Sequence, residues 1–148
     1  MPLAKEFSDQ QNLRIVKDFF SLTESLDLDR AMGFFSENAV YHNIPLPPAR
    51  GKRQVERTLR SMMQYVTGFE VQMLHIAAGD GAVLTERIDR ITVGPIRIEL
   101  PVSGTFEIKD GQITAWRDYF DLIQMFRLMM PSLGEVAARS LKGFLPSR

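Results

Sequence analysis

The fold is decided by residues 69–120, which read FEVQMLHIAAGDGAVLTERIDRITVGPIRIELPVSGTFEIKDGQITAWRDYF. In this segment apolar and polar residues largely alternate, and a period of two is typical of β-strands that bury one face. Tight turns are indicated by Gly79-Asp80-Gly81, Gly94-Pro95 and Asp110-Gly111. The pattern therefore predicts an antiparallel meander of four strands, over residues 69–78, 83–93, 96–108 and 113–120.

The residues on either side of this meander favour helices. The first helix has apolar residues at helical spacing and is expected to begin at a cap formed by Ser8 or Asp9. The other predicted elements are a short helix from near Asp27 or Asp29, a strand over 39–45, and helices over 52–66, 121–130 and 134–144, the last two separated by Pro131. Helices followed by long strands predict an α+β domain, with helices on one face of a curved sheet whose concave side forms a pocket.

Composition narrows the possible functions. The chain has 148 residues, 45% of them hydrophobic, which predicts one domain, spanning 1–148, with a sizeable core. Lysine and arginine number 18, as do aspartate and glutamate, so we expect neither a nucleic acid nor a membrane as partner. The absence of cysteine excludes disulfides, thiol nucleophiles and thiolate metal sites. With no recognisable signal peptide or membrane-spanning stretch, a cytoplasmic protein is expected.

One predicted strand carries charged residues where apolar ones are expected. One face of the strand over 83–93 consists of Val83, Thr85, Arg87, Asp89, Ile91 and Val93. This face is apolar at both ends but has an arginine and an aspartate at its centre. Burial of ionised groups costs several kcal/mol each unless they are paired. Arg87 and Asp89 therefore indicate either a structural ion pair or a functional site.

A second acid lies on an apolar strand face. In the last predicted strand, Asp118 shares a face with Trp116 and Phe120. In an earlier strand, Tyr41 and Asn43 point to the same side and offer uncharged donors and acceptors. Each of these features alone has an ordinary structural explanation. Two acids on apolar faces, with an arginine available between them, favour a functional site.

Two carboxylates that share one arginine suit hydrolysis by a paired acid and base. The arginine lowers the pKa of the acid it pairs with most closely, while the acid in the drier place retains its proton. One acid then protonates a leaving oxygen while the other removes a proton from water, which Tyr41 and Asn43 would hold. Other routes fit less well. The chain has no Gly-x-Ser-x-Gly elbow, no glycine-rich phosphate loop, and only His42 and His75 for a metal site.

At these residues the sequence resembles the limonene-1,2-epoxide hydrolase family. The matching stretches are Tyr41-His42-Asn43-Ile44-Pro45-Leu46-Pro47-Pro48, Thr85-Glu86-Arg87-Ile88-Asp89 and Trp116-Arg117-Asp118-Tyr119-Phe120-Asp121. The resemblance covers most of the chain. It implies a strongly curved, mainly antiparallel sheet that forms a cone, with the N-terminal helices packed on its concave side, as in NTF2-like and SnoaL-like proteins. It also implies a homodimeric enzyme without metal or cofactor, which adds water to an apolar, cyclic or terpene-like epoxide to give a vicinal diol in one step.

The resemblance assigns roles to five polar residues. Asp118 would be the base that deprotonates a water held by Tyr41 and Asn43. Asp89 would be the acid that protonates the epoxide oxygen, and Arg87 would bridge the two aspartates. The candidates for contact with the apolar substrate are Leu100, Val102, Phe120, Met32 and Met62.

Two other classes of function stay open at this point. Another acid/base enzyme with the same cone, such as an isomerase or a dehydratase, needs one general base and no arginine between two acids. A non-catalytic module that binds a small molecule would tolerate the loss of an aspartate. All five polar positions are occupied here, which favours epoxide hydrolysis.

Overall fold

The computed structural model describes residues 2–144, which form an α+β fold around one sheet of six strands. The strands are β1 (Phe35–Ile44), β2 (Ala49–Arg50), β3 (Gly68–Gly79), β4 (Ala82–Val93), β5 (Ile96–Lys109) and β6 (Gln112–Tyr119). The helices are α1 (Pro2–Glu24), α2 (Leu28–Ala31), α3 (Lys52–Met63) and α4 (Leu122–Phe144), with a 3-10 turn over Met32–Phe34. The fold class predicted from the sequence is therefore confirmed.

The sheet has the strand order β2-β1-β6-β5-β4-β3. From β3 to β6 each strand is antiparallel to the next, so the predicted meander is confirmed. Two of its turns, Asp80-Gly81 and Asp110-Gly111, have positive φ at both residues, the conformation that Asp-Gly favours in tight hairpins. Strand β1 is parallel to β6, which makes the sheet mainly but not wholly antiparallel.

Aromatic side chains join α1 to the inner face of the sheet. Phe19 of α1 contacts Phe35, Phe106 and Trp116, with ring centroids 5.4, 6.0 and 5.1 Å apart, respectively. All four of these side chains are buried. Along β5 every second residue is buried as well, as the alternation predicts. Polar groups on the inner face are therefore enclosed between the sheet and α1.

Three helix boundaries differ from the prediction. Helix α3 ends at Met63 instead of continuing to residue 66. Helix α1 begins at Pro2, so neither Ser8 nor Asp9 caps it, because the residues that precede Ser8 are themselves good helix formers. Helix α4 continues through Pro131, so the predicted interruption is wrong. Proline removes one main-chain hydrogen bond, and the run of helix-forming residues around it offsets that loss. By contrast, α2 begins where predicted, next to Asp27, whose side chain accepts the main-chain N–H of Arg30 as the N-cap.

Helix α4 packs along β5 and exposes much of its other side. Ile123 and Phe126 are 65% and 63% exposed, which is unusual for large apolar side chains. None of the helices within residues 2–144 combines the length and the apolar character that crossing a membrane requires.

Candidate active site

Three charged side chains from two strands meet on the inner face of the sheet. Arg87 and Asp89 lie two residues apart on β4, and Asp118 lies on β6. Strand β5 runs between them, and its Gly104 is the register partner of both Thr85 and Asp118. Because aligned residues on adjacent strands share a face, the arginine and both aspartates converge. Their exposed fractions are 1%, 7% and 5%, so the group is withdrawn from bulk water.

Arg87 pairs with both aspartates. Its Nε and Nη2 donate to Asp89 Oδ1 and Oδ2 at 2.9 and 3.2 Å. Its Nη1 and Nη2 donate to Asp118 Oδ1 and Oδ2 at 3.1 and 2.6 Å. Both pairs are bidentate, which is the firmest way in which an arginine holds a carboxylate. One cation thus faces two buried carboxyl groups, and the site becomes neutral when one of them keeps its proton.

A threonine accepts the remaining N–H of the guanidinium. Arg87 has five N–H groups, and four of them donate to the aspartates. The fifth, on Nη1, donates to Thr85 Oγ1 at 3.2 Å, and Thr85 in turn donates to the Gly104 carbonyl at 3.4 Å. The ring of Phe20 lies against the guanidinium, with its centroid 4.7 Å from Cζ. All five N–H groups of Arg87 are therefore engaged within the site.

Asp118 receives a further hydrogen bond from its own strand. Trp116 Nε1 donates to Asp118 Oδ1 at 2.7 Å. The alternation of the sequence identifies Trp116 only as an apolar neighbour, because it does not show where the indole N–H points. The spacing of two on one strand was the available signal, since it puts both side chains on the same face.

Strand β1 brings the two uncharged polar residues to the same place. Tyr41 stacks on Trp116, with ring centroids 4.3 Å apart, and Asn43 is the register partner of Asp118. Tyr41 is 2% exposed, and its hydroxyl lies 3.9 Å from the sulfur of Met62. The structure thus brings together all five polar residues selected from the sequence, namely Arg87, Asp89, Asp118, Tyr41 and Asn43.

The buried setting changes the acidity of three groups. Burial raises the pKa of Asp89 from 3.8 to about 6, against the attraction of Arg87 and with the help of repulsion from Asp118. Burial alone would lower the pKa of Arg87, but the two carboxylates outweigh it and raise that pKa. Burial, followed by the charge of Asp118, raises the pKa of Tyr41 well above 10.0. Arg87 therefore stays charged and Tyr41 stays neutral, while Asp89 titrates closest to neutral pH.

The polar group lies on the wall of a cavity of about 150 Å³. The rest of the wall is mostly apolar, and it includes Leu100, Val102, Phe120 and Met62, four of the five residues predicted to contact substrate. It also includes residues that the sequence pattern did not single out, among them Leu28, Leu59, Met63, Val66, Phe69 and Met125. Two of these, Leu59 and Met63, lie on the apolar stripe of α3, which was the signal available for them.

Met32 is the fifth predicted contact residue, and its position differs from the prediction. It lies in the 3-10 turn that leads from α2 into β1, is 4% exposed and packs in the main core. Met32 is not among the residues that line the cavity in the part of the chain described. Periodicity indicated that this side chain points inward, but the inward side of the turn faces the core.

The acidic residues of the site do not form a metal-binding set. Within residues 2–144, no group of three or more histidine, aspartate or glutamate side chains is arranged to hold a metal ion. The positive charge between Asp89 and Asp118 is supplied by Arg87 instead.

Comparison with known proteins assigns the family. The protein-family model of the limonene-1,2-epoxide hydrolase catalytic domain matches residues 10–131 of the sequence. Epoxide hydrolase EphG of Mycobacterium tuberculosis is 39% identical over 130 residues, which cover 88% of this chain and 87% of EphG.

Solved structures agree with this assignment. An LEH-like epoxide hydrolase of M. tuberculosis has a TM-score of 0.79 and 37% identity, and the match covers 88% of this chain and 98% of that one. A putative SnoaL-like polyketide cyclase from Jannaschia sp. CCS1 has a TM-score of 0.73 at 15% identity, with 82% and 92% covered, and so shows the fold alone. The predicted NTF2-like and SnoaL-like cone is confirmed. With the family model matched over most of its length, this chain belongs to the limonene-1,2-epoxide hydrolase family of epoxide hydrolases.

Proposed function

We propose that this enzyme adds water to small, apolar, cyclic epoxides and releases vicinal diols in one step. The observation that carries the proposal is the pair of buried carboxyl groups, Asp89 and Asp118, bridged by Arg87 beside a mostly apolar cavity. An apolar wall favours an uncharged substrate, and two acids supply the two proton transfers that opening an epoxide requires.

Asp118 is the base in this proposal. It lines the cavity together with Tyr41 and Asn43, whose phenol and amide groups are suited to hold a water molecule against it. N–H groups of Arg87 and Trp116 fix the orientation of its carboxylate. The water oxygen attacks one epoxide carbon while a proton of that water passes to Asp118. Holding the water in place makes this attack effectively intramolecular.

Asp89 is the acid. As the carbon–oxygen bond breaks, the proton of Asp89 passes to the epoxide oxygen, which becomes the second hydroxyl of the diol. Arg87 is unsuited to this role, because its N–H groups are engaged and its pKa is raised. A pKa of about 6 suits Asp89 to proton donation near neutral pH. After the diol leaves, Asp118 loses its proton and Asp89 regains one, so the reaction balances with water as the only co-reactant.

The volume of the cavity limits the substrate. In another protein, an apolar cavity of about 150 Å³ holds a benzene ring. The cavity described here has about the same volume, 150 Å³. A six-membered ring that carries an epoxide therefore fits, whereas a terpene-sized or sterol-sized epoxide requires the wall to move. Met62, Met63 and Met125 are the flexible parts of that wall, and Met62 is 47% exposed.

Incubation with cyclohexene oxide in oxygen-18 water tests the reaction. We expect cyclohexane-1,2-diol that carries one heavy oxygen, and slower turnover as larger cyclic epoxides are offered. Asp118→Asn is the matched variant for the base, since it keeps the shape of the side chain. The absence of labelled diol from about pH 5 to 9 would contradict the proposal. An unlabelled ketone or allylic alcohol would indicate an isomerase instead.

We also propose that a second copy of the chain covers the outer face of the sheet. The exposed side chains of Leu74, Tyr119 and Ile123 line a groove of about 700 Å³ between the sheet and α4. Contiguous apolar surface of this kind is typical of an interface between identical subunits. Sedimentation is expected to give a dimer for the wild type and monomers for Ile123→Glu, with Leu26→Glu as the control. A monomeric wild type would contradict this proposal.

A further inference from the structure

Gly104 interrupts a row of large apolar residues on β5. The buried residues of this strand alternate in the order Ile98, Leu100, Val102, Gly104, Phe106 and Ile108. The φ angle of Gly104 lies outside the left-handed region, so backbone conformation does not explain the glycine. The explanation has to be steric.

The polar site fills the space that a side chain at Gly104 would occupy. A Cβ built there lies 2.7 Å from Arg87 Nη1, 2.7 Å from Asp118 Oδ1 and 2.8 Å from Thr85 Oγ1. These separations are too short for carbon, so at least one of the three polar groups would have to shift. Since Arg87 and Asp118 form a bidentate pair, even a methyl group at this position would disrupt the alignment of their two hydrogen bonds.

Thr85, on the neighbouring strand β4, supplies the remaining hydrogen-bond acceptor for Arg87. It is 5% exposed, and its hydroxyl oxygen accepts the one N–H of Arg87 that the carboxylates leave over. The same Nη1 donates to Asp118, so these two acceptors together fix the direction of both of its hydrogens. A hydroxyl also does this without adding a third negative charge to a site that already contains two carboxyl groups.

We propose that Thr85 and Gly104 are positioning residues for epoxide hydration, with Gly104 providing the space in which Arg87 meets Asp118 and Thr85 fixing the guanidinium within it. The inference rests on the proposed function, because its consequence is measured as turnover. A tilted guanidinium would turn Asp118 away from the attacking water, and a misplacement of about 1 Å lowers rates by about a hundredfold in other enzymes. Neither residue lines the cavity in the described part of the chain, so substrate binding should change little.

Substitution of Thr85 separates the hydroxyl from the shape of the side chain. Thr85→Val keeps the shape, and we expect it to lower kcat by about ten- to a hundredfold with KM for cyclohexene oxide within about threefold. Thr85→Ser restores the hydroxyl and should return kcat to within about threefold of the wild type. Thr114→Val is the matched control, because Thr114 also donates to a carbonyl of the neighbouring strand, at 3.1 Å, but lies outside the site.

The pH profile distinguishes positioning from a loss of stability. A guanidinium that pairs less firmly with Asp89 favours its ionised form less. The alkaline limb of kcat/KM should therefore move to higher pH in Thr85→Val and stay in place in Thr114→Val. A variant that is merely less stable has a lower melting temperature but keeps the position of this limb.

Substitution of Gly104 tests whether the space that it leaves is needed for the pair of Arg87 and Asp118. Gly104→Ala should lower kcat at least as far as Thr85→Val. Gly79→Ala on β3 is the control, because, apart from Gly79 and its two chain neighbours, no described residue has a heavy atom within 4 Å of the Cβ position at Gly79. Thermal melting followed by circular dichroism checks that each variant is folded. If Gly104→Ala does not fold, the comparison of Thr85→Val with Thr85→Ser decides the question.

The possible failures can be told apart. If the wild type forms labelled diol while Thr85→Val keeps its kcat and pH profile, the positioning role is overturned and the proposed function stands. If Thr85→Ser is as slow as Thr85→Val, the hydroxyl is not the group that matters, which also overturns it. A wild type that forms no diol overturns both proposals.

Discussion

Strand β4 carries two arginines that each bridge two carboxyl groups, on opposite faces of the sheet. Arg87 faces inward and pairs with the two aspartates of the site. Arg90 faces outward and pairs with Glu70 of β3 and Glu99 of β5, at 3.3 and 2.8 Å. The pattern of ion pairs is similar, but the side chain of Arg87 is 1% exposed and that of Arg90 is 36% exposed.

The two networks differ in burial rather than in the number of ion pairs. On the inner face, burial raises the pKa of Asp89 to about 6 even though Arg87 holds it in a bidentate pair. On the outer face, water solvates Glu70 and Glu99, which are 65% and 63% exposed. Two arginines of one strand, each paired with two carboxyl groups, thus belong to a candidate acid/base site on one face and to an ordinary surface network on the other.

The largest expected difference between the two networks is in turnover. Asp118→Asn removes the proposed base and should lower kcat for cyclohexene oxide by about 10²–10⁴-fold, the usual contribution of a general base. Glu99→Gln makes the same chemical change in the outer network and should leave kcat unchanged. Steady-state diol formation measures both variants. Asp118→Asn with near wild-type turnover would show that Asp118 is not the base.

The next effect is on stability. Arg87→Met leaves two buried carboxyl groups without their cation and should lower the free energy of unfolding by about 3–5 kcal/mol. Arg90→Met removes a solvated arginine whose partners stay hydrated, so its melting temperature should stay close to that of the wild type. Urea unfolding of the two variants makes the comparison. Equal losses would mean that the inner network is not more dependent on its arginine than the outer one.

The sequence was sufficient to predict that Arg87 and Asp89 share one face of β4, because a period of two assigns faces directly. It did not show how Arg87 reaches Asp118, since β4 and β6 are separated by β5. That contact depends on the space above Gly104, and alternation treats a glycine only as a weak strand residue. The hydrogen bond from Trp116 to Asp118 was missed for a related reason, since periodicity assigns a face but not the direction of a donor.

The cavity was predicted less completely than the polar residues. Leu100 and Val102 of β5 and Phe120, which follows β6, were expected at the wall and line the cavity, because their strands also carry or adjoin the site. Met32 was also expected at the wall but packs in the core, because a pattern that predicts an inward side chain does not distinguish the core from the cavity. The continuation of α4 through Pro131 was missed because proline was expected to end the helix, whereas the helix propensity of the surrounding residues outweighs its effect.

A smaller effect concerns pH. In the folded protein Asp89 holds its proton up to a pKa of about 6, compared with 3.8 ordinarily, so the folded state binds more protons than the unfolded state between these values. The contribution of Asp89 to stability is therefore present at low pH and is lost as pH rises through about 6, by up to about 3 kcal/mol. Asp89→Asn cannot titrate and lacks this loss.

Unfolding of the wild type and Asp89→Asn from about pH 4 to 8 measures this effect. The stability of the wild type relative to the variant should fall across that range. A relative stability that rises with pH would indicate a carboxyl group stabilised in its ionised form. The alkaline limb of kcat/KM in the wild type should have its midpoint near pH 6, since the same proton is the one donated to the epoxide.

The smallest expected effect is the response to salt, and it separates the two faces most directly. At about 1 M salt the screening length falls to about 3 Å, which weakens exposed ion pairs far more than buried ones. Any small difference in unfolding free energy between the wild type and Glu99→Gln should therefore disappear as salt is added. The difference between the wild type and Arg87→Met should persist, because the inner ion pairs are buried and salt screens buried pairs much less than exposed ones. If both differences fell in parallel, the inner pairs would have to be open to solvent, and the dry setting on which the acidity of Asp89 depends would be lost.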